Sequence, residues 1–232
     1  MRLDYESQTR EFDAVWEQRY QSPFILESWT DNDWSKGRTK YLTFLIKIND
    51  QSIKKQITVV QEKLAEYRCI DPFPLDYLHL TVKEIGLFLV EEKTAADDEI
   101  TRAELGLLID KAGKIIKQYE SFEINLERLN NFKAVVCVEG HDGGVIREIN
   151  KNLGEKLRLK SLIHDPVFLP HMSITQYKST EDYQELIQYL EKERDTSIGT
   201  LIVDNVELVT AHLPISGKYP RIEILEEFPL KH

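Results

Sequence analysis

His79-Leu80-Thr81-Val82 and His171-Met172-Ser173-Ile174 are two copies of one short pattern. Each sets a histidine two residues before a hydroxyl, with apolar residues between and after. Residues i and i+2 of a strand face the same side of a sheet. Each copy therefore predicts an imidazole and a hydroxyl presented together, with the apolar residues buried behind. Two such pairs facing one another would surround a phosphate with two proton carriers and two hydrogen-bond donors.

The pattern ends a longer repeat. Laying Tyr41 onward over Lys133 onward without a gap matches the strand-like run Tyr41–Ile46 to Lys133–Val138. The same alignment sets Asp50 on Asp142, Ile57 on Ile149, Pro74 on Pro166 and His79 on His171, at a constant offset of 92 residues. Identities are few, but the order of strand, helix, proline and His-x-Thr/Ser agrees. A chain of this length with one internal repeat is expected to form one large domain or two intimately packed lobes.

Coarse patterning fills in the rest. A strand is expected over 41–48 and a helix over 51–67, capped by Asp50, with Ile53, Ile57, Val60 and Leu64 on one face. The first motif strand covers 77–83, and a helix runs from about 99 to 118. Residues 121–129 and 133–138 read as an antiparallel pair. A helix follows to about Leu157, then the second motif at 167–177 directly after Pro170, a helix over 181–194, and strands at 199–210 and 219–225. Pro214-Ile215-Ser216-Gly217 joins the last two. No linker divides 41–232, which reads as a single bilobal domain. Residues 1–40 form a separate extension: a short amphipathic helix carrying Phe12, Val15, Trp16, Arg19 and Tyr20, then a polar stretch with Pro23, Trp29 and Trp34. Its aromatic residues are expected to be packing anchors, with a lid over the site as the alternative.

Composition narrows the function. A chain of 232 residues with 41% hydrophobic content can bury a real core. No run reaches bilayer-spanning length, and nothing apolar near Met1 reads as a signal peptide. Cys69 and Cys137 stand far apart and in no metal spacing, which fits a reducing, cytoplasmic compartment. Cys137 sits in a buried-looking strand. A net charge of −10 argues against a broad nucleic-acid-binding surface but leaves room for a small nucleotide or an RNA terminus in a local pocket. Neither a metal nor another cofactor is expected, and the chain is read as a monomer. His141, His164, His212 and His232 lack the motif's flanks and are read as surface residues.

One histidine can accept a proton while the other donates one, and a phosphodiester needs both services. Thr81 and Ser173 can donate hydrogen bonds to the non-bridging oxygens. Over about residues 41 to 225, the chain resembles the two-histidine phosphoesterase superfamily, which includes 2′,5′ RNA ligase-like proteins and cyclic nucleotide phosphodiesterases. His79-x-Thr81 and His171-x-Ser173 carry the resemblance, with Pro170 before the second histidine. It implies an α+β fold, with two pseudo-symmetric lobes of antiparallel sheet plus helices around a central cleft, and a metal-independent phosphoesterase acting on nucleoside or RNA-terminal 2′,3′-cyclic phosphates, giving a 2′-phosphate. His171 would be the base that activates water, and His79 the acid that protonates the leaving ribose oxygen. Thr81 and Ser173 would bind the phosphate. Two alternatives stay open: a 2′,5′-phosphodiester ligase or hydrolase, and a non-catalytic nucleotide- or RNA-end-binding module. Many ligase-like members carry an arginine five residues after the second histidine, where this chain has Gln176. Strict alternation would put Lys83 on the face of His79 and Tyr177 on the face of His171. Both are therefore expected at the substrate, Lys83 as a replacement charge and Tyr177 as a stacking ring.

Overall fold

The computed structural model describes residues 5–25, 35–157, 168–213 and 219–231. Among the described residues are five α-helices, α1 (Tyr5–Trp16), α2 (Gln51–Leu64), α3 (Arg102–Ile116), α4 (Val145–Leu157) and α5 (Tyr183–Lys192), and one 3-10 turn at Leu75–Tyr77. They alternate with ten strands: β1 (Lys40–Lys47), β2 (Ile70–Pro72), β3 (His79–Leu89), β4 (Glu99–Ile100), β5 (Phe122–Phe132), β6 (Val135–His141), β7 (His171–Tyr177), β8 (Ser197–Val203), β9 (Asn205–His212) and β10 (Arg221–Pro229).

The sheet runs in the order β10-β9-β1-β3-β7-β6-β5-β8, with short β2 on β7 and β4 on β3. The β3–β7 junction divides this order into equal halves, and it joins the two motif strands. The expected bilobal α+β architecture is therefore present, with the seam between lobes running through both histidine motifs. Strands β3 and β7 are antiparallel and meet at one register pair, Leu80 opposite Met172.

Both lobes start their helices the same way. Asp50 Oδ1 accepts the amide of Ile53 at 3.0 Å at the start of α2. Asp142, its repeat partner, accepts the amides of Gly144 at 2.9 Å and Ile146 at 2.6 Å ahead of α4. Ile57 and Ile149, matched by the same repeat, are both fully buried. A short carboxylate that satisfies orphan amides fixes where each crossover helix begins. Their apolar stripes then join Leu80, Val82, Val138 and Met172 in one core.

Helix α1 packs on β5 and β6, with Gln8, Phe12 and Trp16 buried at i, i+4 and i+8. Arg19, just after it, donates to Glu191 at 2.9 Å, and Phe24 donates its amide to the Lys133 carbonyl at 2.7 Å. The extension is thus sewn to the second lobe.

Three expectations need correction. The run 199–210 is two strands, β8 and β9, broken at Asp204, and they lie in opposite halves of the sheet order. His141 is not a surface residue: it is 2% exposed, between the rings of Tyr5 and Phe12, at 4.9 and 5.0 Å. His212 is half-buried and bonded to Glu223 at 2.7 Å. Trp29, Trp34, His164, Pro166, 214–217 and His232 lie outside the described residues. Cys69 and Cys137 are both buried and unbridged.

Candidate active site

Because Leu80 faces Met172, antiparallel alternation sets His79 across from Ser173 and Thr81 across from His171. All four side chains share one face of the sheet, while Leu80 and Met172 are fully buried behind them. Each of the four is half-buried. The antiparallel register thus pairs the histidine of each motif with the hydroxyl residue of the other.

Each histidine is held by the same local device. His79 Nδ1–H donates to the Tyr77 carbonyl at 2.6 Å, and His171 Nδ1–H donates to the Leu169 carbonyl at 2.9 Å. A carbonyl oxygen can only accept, so Nδ1 carries the proton. The neutral ring then keeps its lone pair on Nε2. Tyr77 also stands edge-on to the His79 ring, centroids 5.2 Å apart at 89°. Burial lowers the proton affinity of His79. The Tyr77 carbonyl opposes that shift, and nearby His171 adds to it.

The residues after each motif do not follow strict alternation. On β3, Thr81 pairs with Leu45 but Lys83 pairs with Phe44, so Val82 is an extra residue in a β-bulge. On β7, Ser173 pairs with Cys137 but Thr175 pairs with Val136, so Ile174 is the extra residue. The two bulges stand at matching places in the repeat. A bulge reverses which side the following residues face. Lys83 therefore turns away from the histidines onto α4, where its Nζ lies 3.4 Å from Asn150 Oδ1. Tyr177 turns into the core, 2% exposed, its hydroxyl donating to Asn131 at 2.7 Å. The structure brings neither to the site.

Their places are taken by Glu84 and Gln176. Glu84 pairs with Thr43 and lines a cavity of about 160 Å³ beside His79, with Tyr41, Tyr77 and Thr81. Burial pushes its carboxyl up, partly offset by neighbouring Lys83. Gln176 donates to Asp71 at 3.2 Å, and Asp71 also accepts the Tyr219 hydroxyl at 2.6 Å. No sequence period flags these residues, because the bulges that present them leave no periodic trace.

On the other lobe, Glu139 is the cross-strand neighbour of His171 and is fully buried. It accepts from Asn130 at 2.7 Å, His141 Nε2 at 2.9 Å and Arg194, with Arg128 Nη1 at 3.7 Å. Asp13 of α1 adds a bond to Arg128 at 2.7 Å. A buried carboxylate is tolerable only when so surrounded. The cluster makes a stiff floor beside His171.

A sequence model of the 2′-5′ RNA ligase superfamily matches residues 50–213. An RNA 2′,3′-cyclic phosphodiesterase from Methanocaldococcus jannaschii is 25% identical over 178 residues, covering 77% of this chain and 94% of that one. In fold, the chain is similar to the TT0787 protein of Thermus thermophilus, at TM-score 0.58 and 19% identity over 82% of this chain and 98% of that one. It is similar also to E. coli LigT complexed with 3′-AMP, at TM-score 0.58 and 18% identity over 84% of this chain and 100% of that one.

Proposed function

The chain belongs to the 2′-5′ RNA ligase superfamily, and from that premise we propose that it hydrolyses the 2′,3′-cyclic phosphate of a nucleoside or RNA terminus to a 2′-phosphate, without a metal ion. The observation that carries this reading is the Leu80–Met172 register, which sets two histidines with the same tautomer about one seam.

The cyclic phosphate lies between the two rings. Nε2 of His171 takes a proton from water as the water oxygen bonds to phosphorus. The P–O3′ bond breaks, and protonated His79 gives its proton to O3′. His171 ends protonated and His79 neutral, and exchange with solvent restores both. Thr81 and Ser173 donate hydrogen bonds to the non-bridging oxygens, where charge accumulates. The similarity to an RNA 2′,3′-cyclic phosphodiesterase supports this choice of substrate. Two buried thiols support a cytoplasmic setting, and no described helix is long and apolar enough to cross a membrane.

A second reading is cleavage or joining of 2′,5′ bonds. It is favoured by the presence of cavities on both sides of the histidine pair, one at His79 and one at His171, with room for an organic group on each side of phosphorus.

Hydrolysis of the four nucleoside 2′,3′-cyclic monophosphates in EDTA, with His79→Ala and His171→Ala alongside, tests the proposal. Each variant should lose about 10²- to 10⁴-fold in kcat. Phosphorus NMR of the product should show the 2′-phosphate. Loss of wild-type activity in EDTA, restored by a divalent ion, would sink the metal-free mechanism. A wild type that binds nucleotides without turnover would be a binding module.

A further inference from the structure

The larger of the two cavities beside the histidines is not built by the repeat alone. About 450 Å³ of space opens directly on His171, between α1 and the chain approaching β7. One wall is Glu11, Ala14 and Val15 of α1, continued by Gln18 in the turn that follows the helix. This is a different face from Gln8, Phe12 and Trp16, which bury into the second lobe. The other wall is Phe132, Phe168 and Leu169. Phe132 already lies against the catalytic ring, centroids 4.4 Å from His171.

We propose that this cavity is the nucleobase pocket of the enzyme, so that α1, which lies outside the matched family region, is a specificity element. The proposal rests on the phosphoesterase reading, because the phosphate between the histidines is what delivers a base here. Planar aromatic walls suit a base stacked on Phe132 and Phe168. Ala14 is exposed and leaves the space open. Gln18 supplies both a donor and an acceptor. Its present contacts are long, 3.4 Å to the Ala14 carbonyl and 3.4 Å from Gln21, so a base edge can replace them.

The wall itself is fixed. Glu11 holds Arg147 through both guanidinium nitrogens, and Arg147 Nε donates to the Phe168 carbonyl at 2.8 Å. Pocket wall, aromatic wall and the Leu169 carbonyl that sets the His171 tautomer are thus one connected unit.

Isothermal titration of the full chain with adenosine and uridine 2′-monophosphates and with inorganic phosphate tests the pocket without turnover. Wild type should bind the nucleotides about tenfold or more tightly than phosphate. Ala14→Trp, which fills the space, should abolish that ratio while phosphate still binds. Gln18→Leu, at an exposed position, should change the ranking of the four bases in turnover or binding. Equal affinity of wild type for nucleotide and phosphate would overturn the pocket, as would a ratio that survives Ala14→Trp or a ranking that Gln18→Leu leaves alone. Tight nucleotide binding with no hydrolysis of any cyclic phosphate would instead overturn the hydrolase reading and leave the pocket standing.

Discussion

Replacing Asn150 with leucine removes a side chain that anchors the β3 bulge. Asn150 projects from α4, and its Nδ2 donates to the carbonyl of Val82 at 2.6 Å. Val82 has no partner residue on β1, since Thr81 and Lys83 pair with the adjacent Leu45 and Phe44. Its side chain is fully buried. Leucine preserves the volume but leaves that carbonyl unserved, at a cost of about 1–3 kcal/mol. In a domain of this size, about 2–4 °C of melting temperature is lost per kcal/mol, so the midpoint should fall by about 2–12 °C. The same bond holds Glu84, and not Lys83, toward His79. If the bulge relaxes, kcat/KM on a cyclic phosphate should fall by as much as the same energy, about 5- to 150-fold. The control is Lys83→Met, which loses only a long contact at 3.4 Å and keeps the Asn150–Val82 bond. It should change stability by about 0.5 kcal/mol or less. Urea titrations and steady-state kinetics on both variants decide the matter. An Asn150→Leu protein as stable and active as wild type would refute the bulge argument. So would a Lys83→Met protein more damaged than Asn150→Leu.

The pH dependence of kcat/KM should be bell-shaped, with its alkaline limb set by loss of the proton from His79. Because burial lowers that proton affinity, one of the two inflections should lie below the ordinary imidazole value of 6.5, and a profile with both inflections above it would contradict this. Glu207, buried in β9 with the Lys47 amide 3.2 Å from its carboxylate, is pushed up to about 7 by burial, against the ordinary 4.5. Between those values the folded state binds more proton than the unfolded state, so stability should fall as pH rises, by about 3 kcal/mol in all. Glu207→Gln should abolish this slope and be the more stable protein at pH 8, as read by urea denaturation; parallel pH curves for the two proteins would rule it out. Glu139→Gln strips the buried cluster of its charge and leaves Arg194 and Arg128 under-compensated, at a cost of about 3–5 kcal/mol. A thermal midpoint unchanged from wild type would show the cluster to be dispensable.

Much of the architecture is legible from local pattern. Asp50 and Asp142 announce their helices because capping is a short-range interaction. The i, i+2 spacing of His79 and Thr81, and of His171 and Ser173, puts each pair on one face because a strand has period two. The constant repeat offset predicts that the two faces meet, since a duplicated unit buries its apolar side against its twin. These are properties of a few neighbouring residues, and the chain carries them alone.

What the sequence could not settle depends on residues far apart in the chain. Alternation through Lys83 and Tyr177 looks unbroken, yet one extra residue in each strand reverses both. That extra residue is stable only because a distant partner serves the displaced carbonyl, as Asn150 on α4 does for Val82. His141 reads as a loop histidine, but Glu139 beside it and Tyr5 and Phe12 from the amino-terminal helix enclose it. The stretch 199–210 looks like one strand because only the pairing of its halves with β5 and β1 separates them. The amino-terminal helix shows its amphipathic stripe in sequence, but not which surface it covers. Periodicity determined which side chains travel together, whereas the register, the bulges and the seating of α1 on the second lobe decided what stands beside each histidine, because those are set by long-range pairing that no local pattern encodes.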